Sequence, residues 1–353
     1  MFPPRPQQRT RIPLLDTAKV IAISLVILGH LYPHVFGLSY VRSWIYHFHM
    51  PLFFLISGYL HRSVGGAAQV VKCWKFLLLP SLVWIGIYLI GDALRIGAGD
   101  PLACANAAWS ILLKTLHNIS AGTTHFPCGV VWFCFALTWC RLLGELSSRR
   151  SALPALLLLY PIAFLYMRDL RCLFFGAALA AFPYYAVGML MRQGSAKFDL
   201  ISRLGRMPRT TALLAGCSLL TVTLFAPGLG YYSVVGQLFG HTLPLHVNIL
   251  FCYGMACLGI AGVLLVAQAC PFSETVTMRT LSRGTLILMC SHTWLERADV
   301  HRFLNAVFPP FHEGVLVPLC CRIGITLLFL LLGLGLCKLL GNSRVGQLLG
   351  YRA

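Results

Sequence analysis

Apolar runs of about 16–25 residues recur from end to end of this chain, and the natural fate of a run that long is to cross a bilayer as a helix. They lie near 14–33, 44–61, 76–96, 129–143, 152–167, 172–191, 211–227, 244–268, 281–296 and 315–340. Hydrocarbon offers no water to backbone N–H and C=O groups, so each run must satisfy its own, and ten runs predict ten transmembrane helices. Composition agrees. The chain is 58% hydrophobic and 11% charged, where soluble domains average about 45–50% and about 25%. The expected fold class is an all-α polytopic membrane protein, with residues 1–353 forming one integral-membrane domain and no fused extracytoplasmic part.

The net charge of +18, from 28 Lys and Arg against 10 Asp and Glu, would suggest nucleic acid in a soluble protein. Here no basic patch is interleaved with aromatics, and membrane topology accounts for the excess, so no nucleic-acid partner is expected. With the N-terminus (Arg5, Arg9, Arg11) in the cytoplasm, the same side receives Arg62, Lys72 and Lys75, then Arg141, Arg149 and Arg150. It also receives Arg192, Lys197, Arg203, Arg206 and Arg209, followed by Arg279, Arg283, Lys338, Arg344 and Arg352. Fewer fall opposite: Arg42, Arg95, Lys114, Arg168, Arg171, Arg297, Arg302 and Arg322. Both termini are therefore expected in the cytoplasm. The stretch near 97–128, with Asp100, Lys114, His117, His125 and the sequon Asn118-Ile119-Ser120, reads as the longest outer loop. Fourteen cysteines form no C-x-x-C pair and sit mostly inside apolar runs, as small hydrophobes do. The first run lacks a small-x-small cleavage site and is expected to remain as a helix.

That first helix carries groups a membrane helix normally avoids: Asp16, Lys19 and His30. At about 100° per residue Lys19 and His30 fall roughly 20° apart around the axis and about 16 Å apart along it, with Asp16 one turn before Lys19. Each charge at such depth costs on the order of 3 kcal/mol, which makes a polar seam of this kind a site by default. His30 is suited to act as general base toward a hydroxyl, or as a nucleophile that carries an acyl group covalently. Lys19 can meet a phosphate or snorkel to headgroups, and Asp16 can pair with it. Lys72 and Lys75, one turn apart at the entry to the third helix, serve either as membrane anchors or as a phosphate clamp. His292 and Glu296, four apart, share a helical face near the outer end of the ninth helix, as an acceptor site or as an interfacial pair.

The run Asp16-x-x-Lys19-x10-His30 resembles the N-terminal signature of the acyltransferase 3 family of integral-membrane acyltransferases. Tyr46-His47-Phe48-His49-Met50-Pro51-Leu52-Phe53-Phe54-Leu55-Ile56-Ser57-Gly58-Tyr59-Leu60 is similar to the F-H-M-P-L-F-F-x-x-S-G-[YF]-L block of its fucose 4-O-acetylase-like members. Lys72-x-x-Lys75 resembles the basic-x-x-basic segment that follows. Val131-Trp132-Phe133 resembles a W-F-L element, with Cys134 in place of Leu, and Gly284 to His292 a late G-x-x-S-L-x-I-Y-x-x-H helix, with Thr285 and Met289 as departures. The resemblance implies transfer of an acetyl or related acyl group from acyl-CoA, a donor substrate rather than a bound cofactor, to a hydroxyl of a cell-surface glycan or lipid-linked saccharide. It implies His30, Asp16 and Lys19 as catalytic residues, and Lys19, Lys72 and Lys75 as holding acetyl-CoA. His49, His292, Glu296 and Trp132 would line the acceptor side, and the setting would be a bacterial inner membrane. His49 is otherwise a polar cap, with Met50-Pro51 marking a helix start, and Trp132 otherwise packs.

Two rival classes fit less well. A haem or metal protein could use His30 and His34 at i, i+4, but Pro33 interrupts that pair and no metal site is expected. A transporter or flippase of a glycolipid would also need a polar interior, yet no inverted repeat is visible.

Overall fold

Prolines and short polar residues mark where the helices begin. The structure, a computed structural model, describes residues 11–31, 39–147, 170, 172–193, 200–224, 245–296, 316–341 and 343–352. Among them all regular structure is helical. Pro13 occupies the first turn of α1 (Pro13–His30), where a missing N–H costs nothing. α2 spans Ser39–Tyr59. α3 (Gly66–Cys73) runs through a π-helical stretch, Trp74–Leu78, into α4 (Leu79–Gly97). Pro80 explains the widened turn, because its ring clashes with the carbonyl four residues back and it donates no hydrogen. After α5 (Pro101–Ser120) come α6 (Trp132–Leu146), α7 (Phe175–Gln193), α8 (Leu200–Gly205), α9 (Arg209–Thr223) and α10 (Leu245–Ala269). α11 (Val276–Arg283) and α12 (Thr285–Ser291) meet at Gly284, α13 spans Leu316–Leu340 and α14 spans Arg344–Leu348.

Six of these segments are long and apolar enough to cross a membrane: Pro13–His30, Gly66–Gly97, Gly129–Leu146, Cys172–Arg192, Phe251–Ala269 and Leu319–Leu340. Their outward faces carry Ile90, Leu94, Leu327, Leu328, Leu331 and Leu332, all exposed. Water would not tolerate so many large apolar side chains on one surface, whereas acyl chains match them. Of the other expected runs, 44–61 overlaps α2, 211–227 overlaps α9 and 281–296 overlaps the broken α11–α12 pair. The run 152–167 lies outside the described residues.

Three expectations are corrected. The stretch read as an outer loop contains α5, whose start is set by Pro101 and by Asp100, which accepts a hydrogen bond from the Leu102 N–H at 2.9 Å. α5 packs along α4, and Gly97 lets Cys104 approach its backbone. Second, α2 does not begin at Met50-Pro51; Pro51 lies inside it and His49 is a mid-helix residue. Third, the α-helical repeat does not run through His292–Glu296, which is a 3-10 turn.

α1 occupies the middle of the bundle, with α2, α10, α11, α12 and α13 around it. Ala18, Ala22, Ile23 and Ile27 are fully buried on it. α2 and α7 approach backbone to backbone. A Cβ on Gly58 would strike the Tyr185 carbonyl, and one on Gly188 the Leu55 carbonyl. Small residues that let backbones touch are how helices associate in lipid, where no hydrophobic effect drives them together. Gly58→Ala should therefore destabilise the bundle by about 1–3 kcal/mol. Gly86→Ala, where a Cβ meets nothing within 4 Å, should not. Thermal midpoints of the two purified variants check this, and equal midpoints would refute the close contact.

Candidate active site

Helical phase brings the polar residues of α1 and α2 together. On α2, Arg42, Tyr46, His49 and Phe53 recur at four, three and four residues, which is one helical face. At the His30 end of α1 that face meets the imidazole. The Tyr46 hydroxyl and His30 Nε2 are hydrogen-bonded at 3.2 Å. His49 stands behind Tyr46 with ring centroids 4.9 Å apart. His292 closes the other side, its ring edge-on to His30 at 4.8 Å. His30 and Tyr46 are half-buried while His49 and His292 are buried.

Backbone carbonyls orient two of the three imidazoles. His49 Nδ1–H donates to the Ile45 carbonyl at 2.8 Å, and His292 Nδ1–H donates to the Leu288 carbonyl at 3.2 Å. With Nδ1 as donor, the neutral ring keeps its lone pair on Nε2. The stretch holding His292 is pinned by α4: Tyr88 donates to the Cys290 carbonyl at 2.8 Å, its hydroxyl also meets that of Thr293, and its ring packs on Trp294. Gly284 allows the break between α11 and α12, since a Cβ there would strike Cys337 Sγ of α13.

Two cations frame this end. Arg42 sits over the Tyr46 ring at 5.0 Å from its centroid. Arg322 Nε on α13 donates to the Leu31 carbonyl at 3.0 Å, satisfying one of the carbonyls that α1 leaves open at its end. Neither arginine, nor Tyr46, was singled out from sequence. Arg42 and Tyr46 had a usable signal, their helical register with His49. Arg322 had none, because α13 is distant in sequence.

At the other end of α1, Asp16 is a hub. Its Oδ2 accepts from Arg11 Nε at 2.8 Å, its Oδ1 from the Ser282 hydroxyl at 2.6 Å, and Lys19 Nζ lies 3.7 Å from Oδ1. The expected Asp16–Lys19 pair is present, braced by a helix 266 positions away. Lys72 is half-buried and acts electrostatically on His61, as do Glu145, Arg141 and Arg192, whereas Lys75 is exposed with its ammonium 5.5 Å from the Phe76 ring centroid. Lys75 lies in the π-helical stretch that begins at Trp74. Trp132 begins α6, half-buried and edge-on to Phe133, which packs on Phe53 and Phe54. The side chain of Glu296 and all of His34 lie outside the described residues. Among the described residues no three His, Cys, Asp or Glu side chains gather as metal ligands would, and the fourteen cysteines are free thiols.

A membrane bundle with converging imidazoles at one end of its central helix and a carboxylate–lysine pair at the other defines a class. The chain belongs to the acyltransferase 3 family: the family's acyltransferase domain matches residues 12–298. It is similar to the nodulation protein NolL of Sinorhizobium fredii, 28% identical over 200 residues that cover 50% of this chain and 48% of that protein. It is also similar to the nodulation protein NolL of Mesorhizobium japonicum, 42% identical over 86 residues that cover 20% of this chain and 21% of that one. The chain thus matches less than half the length of each relative. No solved structure matches it.

Proposed function

We propose that this membrane acyltransferase is an O-acyltransferase that moves an acetyl or related acyl group from acyl-CoA to a hydroxyl of a cell-surface glycan or lipid-linked saccharide. The meeting of His30, Tyr46 and His292 in a chain of this family carries the reading. A half-buried imidazole hydrogen-bonded to a phenol is placed to accept a proton from a hydroxyl.

The acceptor enters at the Arg42–Arg322 end, past His49 and His292, and the donor from the Asp16–Lys19 end, taken as the cytoplasmic side on the positive-inside bias of the loops, with a bacterial inner membrane as the proposed setting. Lys19 and His30 are about 16 Å apart along the axis, a span an extended pantetheine arm can cover. His30 Nε2 takes the hydroxyl proton as the oxygen attacks the thioester carbonyl. The carbon–sulfur bond breaks, the leaving thiolate takes the proton back from the imidazolium, and an O-acyl ester and CoA thiol result. Asp16 holds Lys19 in place for the donor's phosphates, and Lys72 adds charge on the same side.

Membranes containing the protein, given acetyl-labelled CoA and the host's glycans, should incorporate base-labile label into the glycan fraction. Each transfer adds one acetyl increment to the acceptor's mass. Movement of an acceptor whose mass never changes would instead favour a flippase.

A further inference from the structure

α5 is not one of the six segments long and apolar enough to cross a membrane, and its neighbours show where it lies. The segments Gly66–Gly97 and Gly129–Leu146, which flank it in the chain, are both able to cross. Their Gly66 and Leu146 ends are on one side, because Glu145 accepts from the backbone N–H groups of Val64 and Gly65, the latter at 2.8 Å. Gly97 and Gly129 are therefore on the other side, and α5 joins them there. A crossing α5 would deliver the chain to the wrong side. Residues 121–128 would then need near-full extension to return it across roughly 30 Å of hydrocarbon. They are folded instead. Thr123 N–H donates to the Asn118 carbonyl at 2.9 Å and the Asn118 side-chain amide donates to the His125 carbonyl, which turns the chain back on the end of α5.

The faces of α5 agree with this placement. At about 100° per residue Leu102, Trp109, Leu113 and Leu116 fall within roughly 60° of one another. All four are exposed, Leu102 by 69% and Trp109 by 62%. Asn106, Ser110, Lys114 and His117 occupy the next sector, within roughly 80°, and are exposed too. The third sector faces the protein: Thr115 and Ile119 are buried, and Cys104 lies against Gly97. A helix in the plane of the interface has three surroundings, with acyl chains beneath it, headgroups and water above it and protein beside it, and α5 offers one sector to each. Its apolar sector continues the lipid-facing side of α4, where Ile90, Leu94 and Ile96 are exposed, through the turn at Ala98. Its polar sector carries two basic side chains, and α5 contains no Asp or Glu, which suits phosphate groups.

We propose that α5 lies in the membrane interface at the His292 end of the bundle, and that the partner of its exposed face is the phospholipid surface. The leucines and Trp109 enter the boundary between headgroups and acyl chains by about 5–10 Å, with Lys114 and His117 at the phosphates. Gly91 of α4 identifies that end of the bundle, since a Cβ there would lie 3.5 Å from the ring of Trp294, close after His292. The proposal is independent of the acyl-transfer reading.

The experiment uses the full-length protein in phosphatidylcholine vesicles whose acyl chains carry bromine either near the glycerol or near the methyl end. Trp109 is at the middle of α5, so its depth separates the alternatives. Its share of the fluorescence is the wild-type emission minus that of Trp109→Phe, which keeps an apolar ring. Shallow bromines are expected to quench that share about twice as strongly as deep ones. Stronger quenching by deep bromines would overturn the proposal, since a crossing α5 puts Trp109 at the bilayer centre. Quenching by neither would also overturn it, and would assign the apolar sector to a second copy or another protein. Lys114 gives a readout that needs no tryptophan. A membrane-impermeant succinimidyl ester present on both faces of the vesicles should label it, as peptide mass shows, and a protected Lys114 would refute the interfacial placement.

Discussion

His30→Ala is expected to lower acyl transfer by about 10²–10⁴-fold while leaving the protein folded, since that is the range a positioned base contributes. The side chain is half-buried at a helix end, so truncation leaves little cavity, and Tyr46 loses a hydrogen-bond partner. Tyr46→Phe should cost less, about 10-fold, because it removes a neutral hydrogen bond and keeps the ring between His49 and Arg42. The measurement is initial rate with acetyl-labelled CoA at saturating donor, alongside CoA binding. A base variant loses kcat and keeps donor affinity, because His30 lies far from the phosphates. Unchanged rates in His30→Ala membranes would remove the imidazole from the chemistry and leave His292 or His49 as the base.

Much of this site was readable from period alone. Asp16, Lys19 and His30 lie on one stripe because 3.6 residues per turn puts them there, and α1 is regular from Pro13 to His30. Where the backbone departs from that period the reading failed. His292 and Glu296 share a face only if the stretch is α-helical, and it is 3-10 helix. α5 was taken for a loop because Asp100, Asn118 and the histidines dilute its hydropathy, although Asp100-Pro101 is a helix-start signal and Leu102, Trp109, Leu113 and Leu116 recur near a helical period. Ser282 and Arg322 reach the site only through tertiary packing, and no local pattern marks them.

The second large effect is expected at the other end of α1. Asp16→Ala should cost about 3–5 kcal/mol, because it strands the Lys19 charge within the bundle and removes the acceptor of Ser282 and Arg11. Asp16→Asn should cost less: an amide oxygen still accepts from Ser282, while the charge opposite Lys19 is gone. Removing both partners is the sharper measurement. With Asp16 absent, Lys19 contributes an uncompensated cation worth on the order of 3 kcal/mol in this setting, so Lys19→Ala added to Asp16→Ala should recover stability rather than compound the loss. Thermal unfolding of the four proteins in one detergent gives the coupling. If the double variant unfolds no later than Asp16→Ala alone, the pair is not what holds Asp16 in place, and the Ser282 hydrogen bond carries its role. Recovered stability with donor binding still weak would instead divide the duties at this end: Asp16 offsets the cost of a lysine in the membrane, and Lys19 is kept there for the phosphate it meets.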